Sequence, residues 1–446
     1  MQMPARLGRI HLSPFQIIII GFMGVILTGT LLLMLPFARK GGTLSFADAL
    51  FTATSSVCVT GLVTKNTVTF WSLFGQGGII VLIQTGGLGV ATIGILAAMI
   101  RQKKIGLGSR LLMQTSISHD RVGGIVGMTI FLLKLVFMIE FLGMLILMIP
   151  FVRDFGLLRG TWFAFFHSIS AFCNAGFDLM GRDQPYSSLM AYSGDIIVSL
   201  SIMFLIIFGG IGFVTWRDIA THRLDLRKYH LQSKIILLVT SILILVPTVF
   251  FFLTEYQDLP LGKRLLVSLF QAVTPRTAGF NTMPIDELSE TGQLVMIILM
   301  LTGGAPGSTA GGMKVTTAFV LFALLLQVFS RSRQLHIFRR SIGDVVIKHA
   351  AAVFLMYLSL FLLGGILITN IERTSLLTGM FETASALGTV GLTVGITPTL
   401  KTSSKIILIL YMFIGRVGGL TLIYSLLTKP ENNRSGKLPV EDVAVG

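Results

Sequence analysis

Charge is what this chain has least of. Asp, Glu, Lys and Arg make up 12% of its 446 residues, about half the share of an ordinary soluble domain. An ordinary soluble globule is excluded on that ground. Two cysteines, Cys58 and Cys173, provide no disulfide framework. Metalloprotease HExxH, the GxSxG nucleophile elbow and paired catalytic carboxylates are absent, which excludes the commonest hydrolase sites. A small-residue cleavage pattern is missing after the basic N-terminus (Arg6, Arg9), so the first apolar run reads as a membrane helix rather than a signal peptide.

Apolar length is what the chain has in abundance: 53% of residues are hydrophobic and the mean hydropathy is +0.83. Long runs fall at 15–36, 77–100, 125–149, 193–215, 235–253, 292–328, 346–369 and 404–427, giving eight expected spans. Runs of about 20 residues cross a bilayer as helices, whereas barrel strands are about half as long and alternate. Within each pair of spans lies a shorter stretch, at 46–62, 161–177, 263–280 and 375–392, too short to cross alone. The order span, half-span, span therefore occurs four times.

A glycine aligns the four half-spans: FTATSSVCVTGL at Gly61, FHSISAFCNAGF at Gly176, LFQAVTPRTAGF at Gly279 and FETASALGTVGL at Gly391. Ten residues earlier stand Phe51, Phe166, Leu269 and Phe381, and directly after come Leu62, Phe177, Phe280 and Leu392. The second spans share a further glycine pattern: QTGGLG (84–89), IFGGIG (207–212), LTGGAPG (301–307) and FIGRVGG (413–419). Most of these second-span glycines suit close helix packing between small residues. The four aligned glycines differ, because they close half-spans.

The net charge of +15 is concentrated in the linkers that follow the second spans. These carry Arg101, Lys103, Lys104, Arg110 and Arg121, then Arg217, Arg223, Arg227, Lys228 and Lys234, then Arg331, Arg333, Arg339, Arg340 and Lys348. The positive-inside rule places linkers and termini in the cytoplasm, with half-spans entering from outside. No nucleic-acid recognition motif accompanies the charge, so nucleic acid is not an expected partner.

A helix that stops inside a membrane leaves carbonyls unpaired, and its C-terminal end attracts cations. Irregular backbone at that depth is tolerated where it lines a cavity. Four such ends around an axis would present carbonyl oxygens in place of an ion's hydration shell. Glycine supplies the positive φ needed to turn those carbonyls inward. Ser55, Ser56, Ser170, Thr274 and Ser385 are placed to hydrogen-bond the helix ends, and no Asp or Glu lies in the five residues before any of the glycines. A dedicated divalent site is therefore not indicated.

At CVTGL (58–62), CNAGF (173–177), TPRTAGFN (274–281), GTVGLT (388–393) and FIGRVG (413–418), the chain resembles the Trk/Ktr/HKT superfamily of K⁺ transporters, and most closely the membrane subunit of bacterial Ktr systems. The resemblance covers nearly the whole chain. It implies an all-α membrane protein of four M1–P–M2 repeats, with eight transmembrane helices and four re-entrant half-helices around one pore. Their expected bounds are 1–124, 125–234, 235–345 and 346–429, with a cytoplasmic tail at 430–446. Further implications are a homodimer in the bacterial plasma membrane and a cytoplasmic RCK ring that binds adenine nucleotide. The transported ion would be K⁺, with Na⁺ a candidate activating or coupling ion and no organic cofactor in this chain. The expected selectivity-filter residues are Val59, Thr60 and Gly61; Asn174, Ala175 and Gly176; Thr277, Ala278 and Gly279; and Thr389, Val390 and Gly391. A self-sufficient Na⁺- or H⁺-coupled symporter is the alternative.

The sixth span is interrupted by GGAPGSTAGGMK (303–314). Glycine and proline there cost a helix about 1 and 3 kcal/mol each. In the family this is an intramembrane gate loop, which assigns gating to Gly303, Gly304, Ala305, Pro306, Gly307, Ser308, Thr309, Ala310, Gly311, Gly312 and Lys314. Its glycines faintly match a phosphate loop, but Met313 stands where Lys is required. Arg416 occupies the register of Gly87 and Gly210, and a buried membrane arginine is a functional candidate. In the family it lies below the filter as a barrier to cations; a structural role toward helix-end carbonyls or the gate loop is the competing reading. Lys134 and Glu140 are not on one helical face, and structural pairing with other helices is the reading favoured for them. His167 reads as a satisfied polar residue. Lys65, just past the first filter, either lowers the local cation concentration or points to solvent. The tail suits contact with the regulatory ring or the other protomer, and its composition suits disorder equally.

Overall fold

The computed structural model describes residues 13–89, 125–182, 184–223, 225–330, 335–338 and 340–426. The basic linker at 101–121, the latter part of the 77–100 run and the tail at 430–446 lie outside the described residues. Apart from a two-residue ladder pairing 336–337 with 340–341, the described secondary structure is helical.

Among the described residues, four helices are each long and apolar enough to cross a membrane: α1 (Pro14–Met34), α4 (Ile125–Phe155), α8 (Leu231–Thr254) and α12 (Asp344–Glu372). Their lipid-type surfaces are plain in exposed residues such as Leu31, Phe141, Val246 and Leu363. Each is followed by a short helix: α2 (Phe46–Val57), α5 (Leu157–Phe172), α9 (Leu261–Val273) and α13 (Leu376–Gly388). Ser45 and Ser375 cap α2 and α13 by accepting the amides of Asp48 and Thr378. These helices stop short of the aligned glycines instead of running up to them. A turn follows each of them directly, after Val57, Phe172, Val273 and Gly388.

Among the described residues, the expected second spans are not single crossing helices. α3 (Leu73–Leu88) ends at Gly89, whose φ is +84° and ψ 135°. α6 (Ile196–Gly210) turns by 99° into α7 (Phe213–His222) through Gly212, at φ +87° and ψ 144°. α14 (Thr402–Val417) breaks before α15 (Gly419–Leu426) at Gly418, with φ +86° and ψ 142°. Three glycines in one sequence register thus share one backbone conformation. It is a left-handed one that a Cβ disfavours, and it ends the helix. In the remaining copy Pro306 takes that register, and α10 (Glu290–Leu301) is separated from α11 (Val315–Phe329) by the loop expected at 303–314. Beyond that loop, Gly212 and Gly418 interrupt two further second spans that the sequence presents as continuous, and α3 ends at Gly89, the last residue described before 125.

The glycines before these breaks let the helices approach the short helices closely. A Cβ on Gly86 would overlap the Val57 carbonyl, one on Gly209 the Phe172 carbonyl and one on Gly415 the Leu387 carbonyl. Each contact falls at the C-terminal end of a short helix. Aromatic residues Phe51, Phe166, Phe270 and Phe381 fill the core around those ends, each fully buried or nearly so.

Candidate ion pathway

The aligned glycines meet in a closed ring. Gly61 lies against Ala175 and Gly176, Gly176 against Ala278 and Gly279, Gly279 against Val390 and Gly391, and Gly391 against Thr60 and Gly61. An added Cβ would sit 2.5 Å from the Ala175 oxygen at Gly61 and 2.7 Å from the Ala278 oxygen at Gly176, and closer still at the other two. All four glycines have positive φ, from +68° to +95°. Two residues before them, Val59, Asn174, Thr277 and Thr389 are left-handed as well, at φ +57°, +57°, +70° and +52°. Asn tolerates this conformation; for β-branched Val and Thr it is a genuine outlier. Counting glycines therefore understated the left-handed positions by one per segment. All twelve expected filter residues lie in these segments, and Val59, Thr60, Asn174, Ala175, Thr277, Ala278, Thr389 and Val390 are buried.

Hydroxyl side chains brace the segments from behind. Ser55 and Ser385 accept the amides of Gly61 and Gly391 at 3.1 and 3.0 Å. Ser170 and Thr274 donate to the carbonyls of Phe177 and Phe280 at 2.7 and 2.5 Å. Their partners are the extended segments rather than the helix ends proper. Ser56 takes no part, since it donates back to Thr52 within α2.

Two further residues brace the segments: Glu382, which the sequence does not single out, and His167, which is satisfied as expected. Glu382, fully buried on α13, accepts the Val394 amide at 3.2 Å and the hydroxyls of Thr397, at 2.7 Å, and Thr393. His167 on α5 accepts the Leu179 amide at its Nε2, 3.3 Å away, while its Nδ1 meets the Phe163 carbonyl at 2.7 Å. His167 and Glu382 stand at one register relative to their glycines, and the backbone amides they hold stand at one register too. The signal was available in the alignment column beside the Phe51–Phe166–Leu269–Phe381 column, but the residue types differ and hid the shared role.

On one side of the ring is a cavity of about 320 Å³, with Gly61, Gly176, Gly279 and Gly391 in its lining. On the other side is a cavity of about 340 Å³, lined among others by Gly87, Pro306, Ser308, Lys314 and Arg416. Between the ring and this second cavity runs the 303–314 loop. It is held by the carbonyls that the helix breaks leave free: Ala305 and Thr309 donate backbone amides to Gly210 and Gly209 at 3.0 and 3.2 Å, and Gly312 donates to Gly415 at 3.1 Å. The Thr309 hydroxyl donates to Phe172 at the end of α5, 3.1 Å away. Lys314 folds back to donate to Ala310 at 2.8 Å and to Gly311 at 3.4 Å.

Arg416 sits on this loop. Its guanidinium donates to the Thr309 carbonyl, and to those of Gly86 and Gly87, the latter at 3.1 Å. One side chain thereby ties the loop to the end of α3. Glu140 pairs with Gln84, whose amide donates to both carboxylate oxygens at 3.0 and 3.1 Å, so its partner lies on another helix; Lys134 is exposed and six residues away. Lys65 is half-buried with its ammonium 5.8 Å from the Phe70 ring centre and does not line the ring-side cavity. Cys58 and Cys173 are buried free thiols. Asp48 of α2 and Lys405 of α14 form an ion pair at 2.7 Å that joins the first and last parts of the chain.

A family model for cation transport proteins, TrkH, matches residues 10–436. The potassium/sodium uptake protein NtpJ of Enterococcus hirae is 39% identical over 98% of both chains. The Ktr system potassium uptake protein B of Bacillus subtilis is 40% identical over 95% of both. The crystal structure of the potassium transporter TrkH from Vibrio parahaemolyticus superposes with a TM-score of 0.74 at 18% identity, covering 95% of this chain and 87% of that one, a likeness of fold. These relatives are cation transporters rather than enzymes. By its match over nearly the whole sequence, this chain belongs to the TrkH family of cation transport proteins.

Proposed function

We propose that the protein takes up K⁺ across the plasma membrane through a filter of backbone carbonyls at the glycine ring. The carrying observation is the ring itself, closed through Gly61, Gly176, Gly279 and Gly391, with a left-handed residue two positions before each glycine. Carbonyls of an extended strand alternate in direction. Left-handed residues at every second position cancel that alternation and bring successive oxygens to one side, the arrangement a dehydrated cation needs. On this reading each filter segment, Val59–Gly61, Asn174–Gly176, Thr277–Gly279 and Thr389–Gly391, supplies one quarter of the cage, and the chain comprises four M1–P–M2 repeats around one pore.

The ring-side cavity is then the outer mouth. The 303–314 loop and Arg416 close the path on the cytoplasmic side, with Arg416 both bonding the Thr309 carbonyl of the loop and placing positive charge in the cation's way. Opening requires the loop to leave the carbonyls of Gly209, Gly210 and Gly415. We assign that step to a cytoplasmic RCK ring binding adenine nucleotide, acting on a homodimer. The naming of relatives as parts of a Ktr system supports a partner subunit. A name that includes sodium supports Na⁺ as a coupling or competing ion. Expression should restore growth of a K⁺-uptake-deficient bacterium at low K⁺, and Gly279→Asp should not. Full rescue by that variant would refute the filter.

A further inference from the structure

We propose that Asp178 anchors a second, shallower cation site in the ring-side cavity, where a monovalent ion keeps part of its water before reaching the glycines. This rests on the filter reading. Two residues past the aligned glycines stand Val63, Asp178, Asn281 and Thr393, and all four line the cavity. Asp178 is the one charged side chain among the lining residues. The other three positions are spent: Val63 is apolar, Asn281 Oδ1 takes the amides of Met283 and Gln271, and the Thr393 hydroxyl turns to Glu382. The Asp178 carboxylate is fixed by the Met180 amide at 3.0 Å, with the Gly181 amide and Ser188 hydroxyl facing it. A carboxylate offers about four lone-pair sites, so these contacts leave capacity for an ion. A cavity of about 320 Å³ has room for an ion together with several waters. One carboxylate with neutral neighbours suits a partly hydrated monovalent cation. Divalent ions need several carboxylates, and no group of three or more His, Cys, Asp or Glu that could hold a metal occurs among the described residues. A lone negative charge at the mouth of a low-dielectric cleft concentrates cations there.

The test is ⁸⁶Rb⁺ and K⁺ uptake into liposomes holding the purified protein with its regulatory partner. Asp178→Asn should raise the apparent KM for K⁺ roughly tenfold at an unchanged maximal rate. Raising ionic strength with impermeant choline should narrow that difference. Asp178→Glu should keep the low KM, and Asn281→Asp added to Asp178→Asn should recover part of it. An unchanged KM in Asp178→Asn overturns the proposal. So does a fall in maximal rate that Asp178→Glu fails to rescue, which would make Asp178 a brace for the 178–181 turn. Gly279→Asp separates the two readings. If it transports normally the filter itself is misplaced; if it is dead while Asp178→Asn behaves as wild type, only the outer site falls.

Discussion

Gly61 and Gly395 make a matched pair for testing the ring. Both hold left-handed backbone, at φ +93° and +97°, but the space around them differs. Nothing lies within 4 Å of a Cβ built on Gly395, whereas one on Gly61 would sit 2.5 Å from the Ala175 oxygen and 3.0 Å from Gly176 Cα. Gly395→Ala therefore costs only the left-handed strain, about 1–2 kcal/mol. Gly61→Ala adds overpacking of about 1–3 kcal/mol, for about 2–5 kcal/mol in all. The offended atoms are backbone of a neighbouring segment, itself braced by Ser170 to Phe177. Relief can come only by moving the two segments apart, which widens the cage. Gly61→Ala should lower the K⁺/Na⁺ flux ratio in liposomes several-fold and reduce thermal stability in detergent, while Gly395→Ala keeps the wild-type ratio. Equal flux ratios in the two variants would refute the claim that close packing of the ring sets ion discrimination.

Glu382→Ala removes the acceptor of the half-buried Val394 amide and of two hydroxyls, at up to about 1–3 kcal/mol for each group left unpaired. Its uptake should fall well below that of Glu382→Gln, which keeps the side-chain shape and one acceptor oxygen; wild-type uptake by the alanine variant would exclude a bracing role. Arg416→Gln frees the Thr309 and Gly87 carbonyls from a charged donor and should raise flux in the absence of activating nucleotide, with size-exclusion behaviour unchanged. Reduced flux from equally assembled protein would contradict a barrier role. Asp48→Asn leaves Lys405 without its partner and should destabilise by about 3 kcal/mol, and adding Lys405→Met should recover most of that, as read by thermal unfolding.

The glycine ring was legible because its constraint falls on one residue type. Glycine alone fits the close approaches at Gly61, Gly176, Gly279 and Gly391, so the ring could be read from a single alignment column. The second spans read as continuous and are broken where described, whereas the four first spans, α1, α4, α8 and α12, were legible because twenty apolar residues have few other uses. Left-handed Val59, Thr277 and Thr389 were not, since no β-branched residue advertises that conformation; tertiary contacts impose it. Glu382 and His167 were hidden for a different reason: accepting one amide can be done by a carboxylate or an imidazole, so the shared role leaves no shared letter. The breaks at Gly212 and Gly418 and the helix end at Gly89 sit in glycine patterns that suit close packing as well, so the letters alone do not separate the two roles. Gly86, Gly209 and Gly415 do pack closely against helix ends, while their neighbours three residues on turn the chain. Of the two roles open to Arg416, barrier or binder of loop and helix-end carbonyls, its contacts match the second, and its charge lines the second cavity.

The central claim is that a monovalent cation passes through the glycine ring with K⁺ preferred. Its most direct measurement is flux of K⁺, Rb⁺ and Na⁺ into liposomes containing the purified wild-type protein or Gly279→Asp, with the regulatory partner present. The account predicts comparable K⁺ and Rb⁺ flux, slower Na⁺ flux, and loss of all three in the variant. Unchanged flux through Gly279→Asp, or Na⁺ flux equal to that of K⁺ in the wild type, would contradict it.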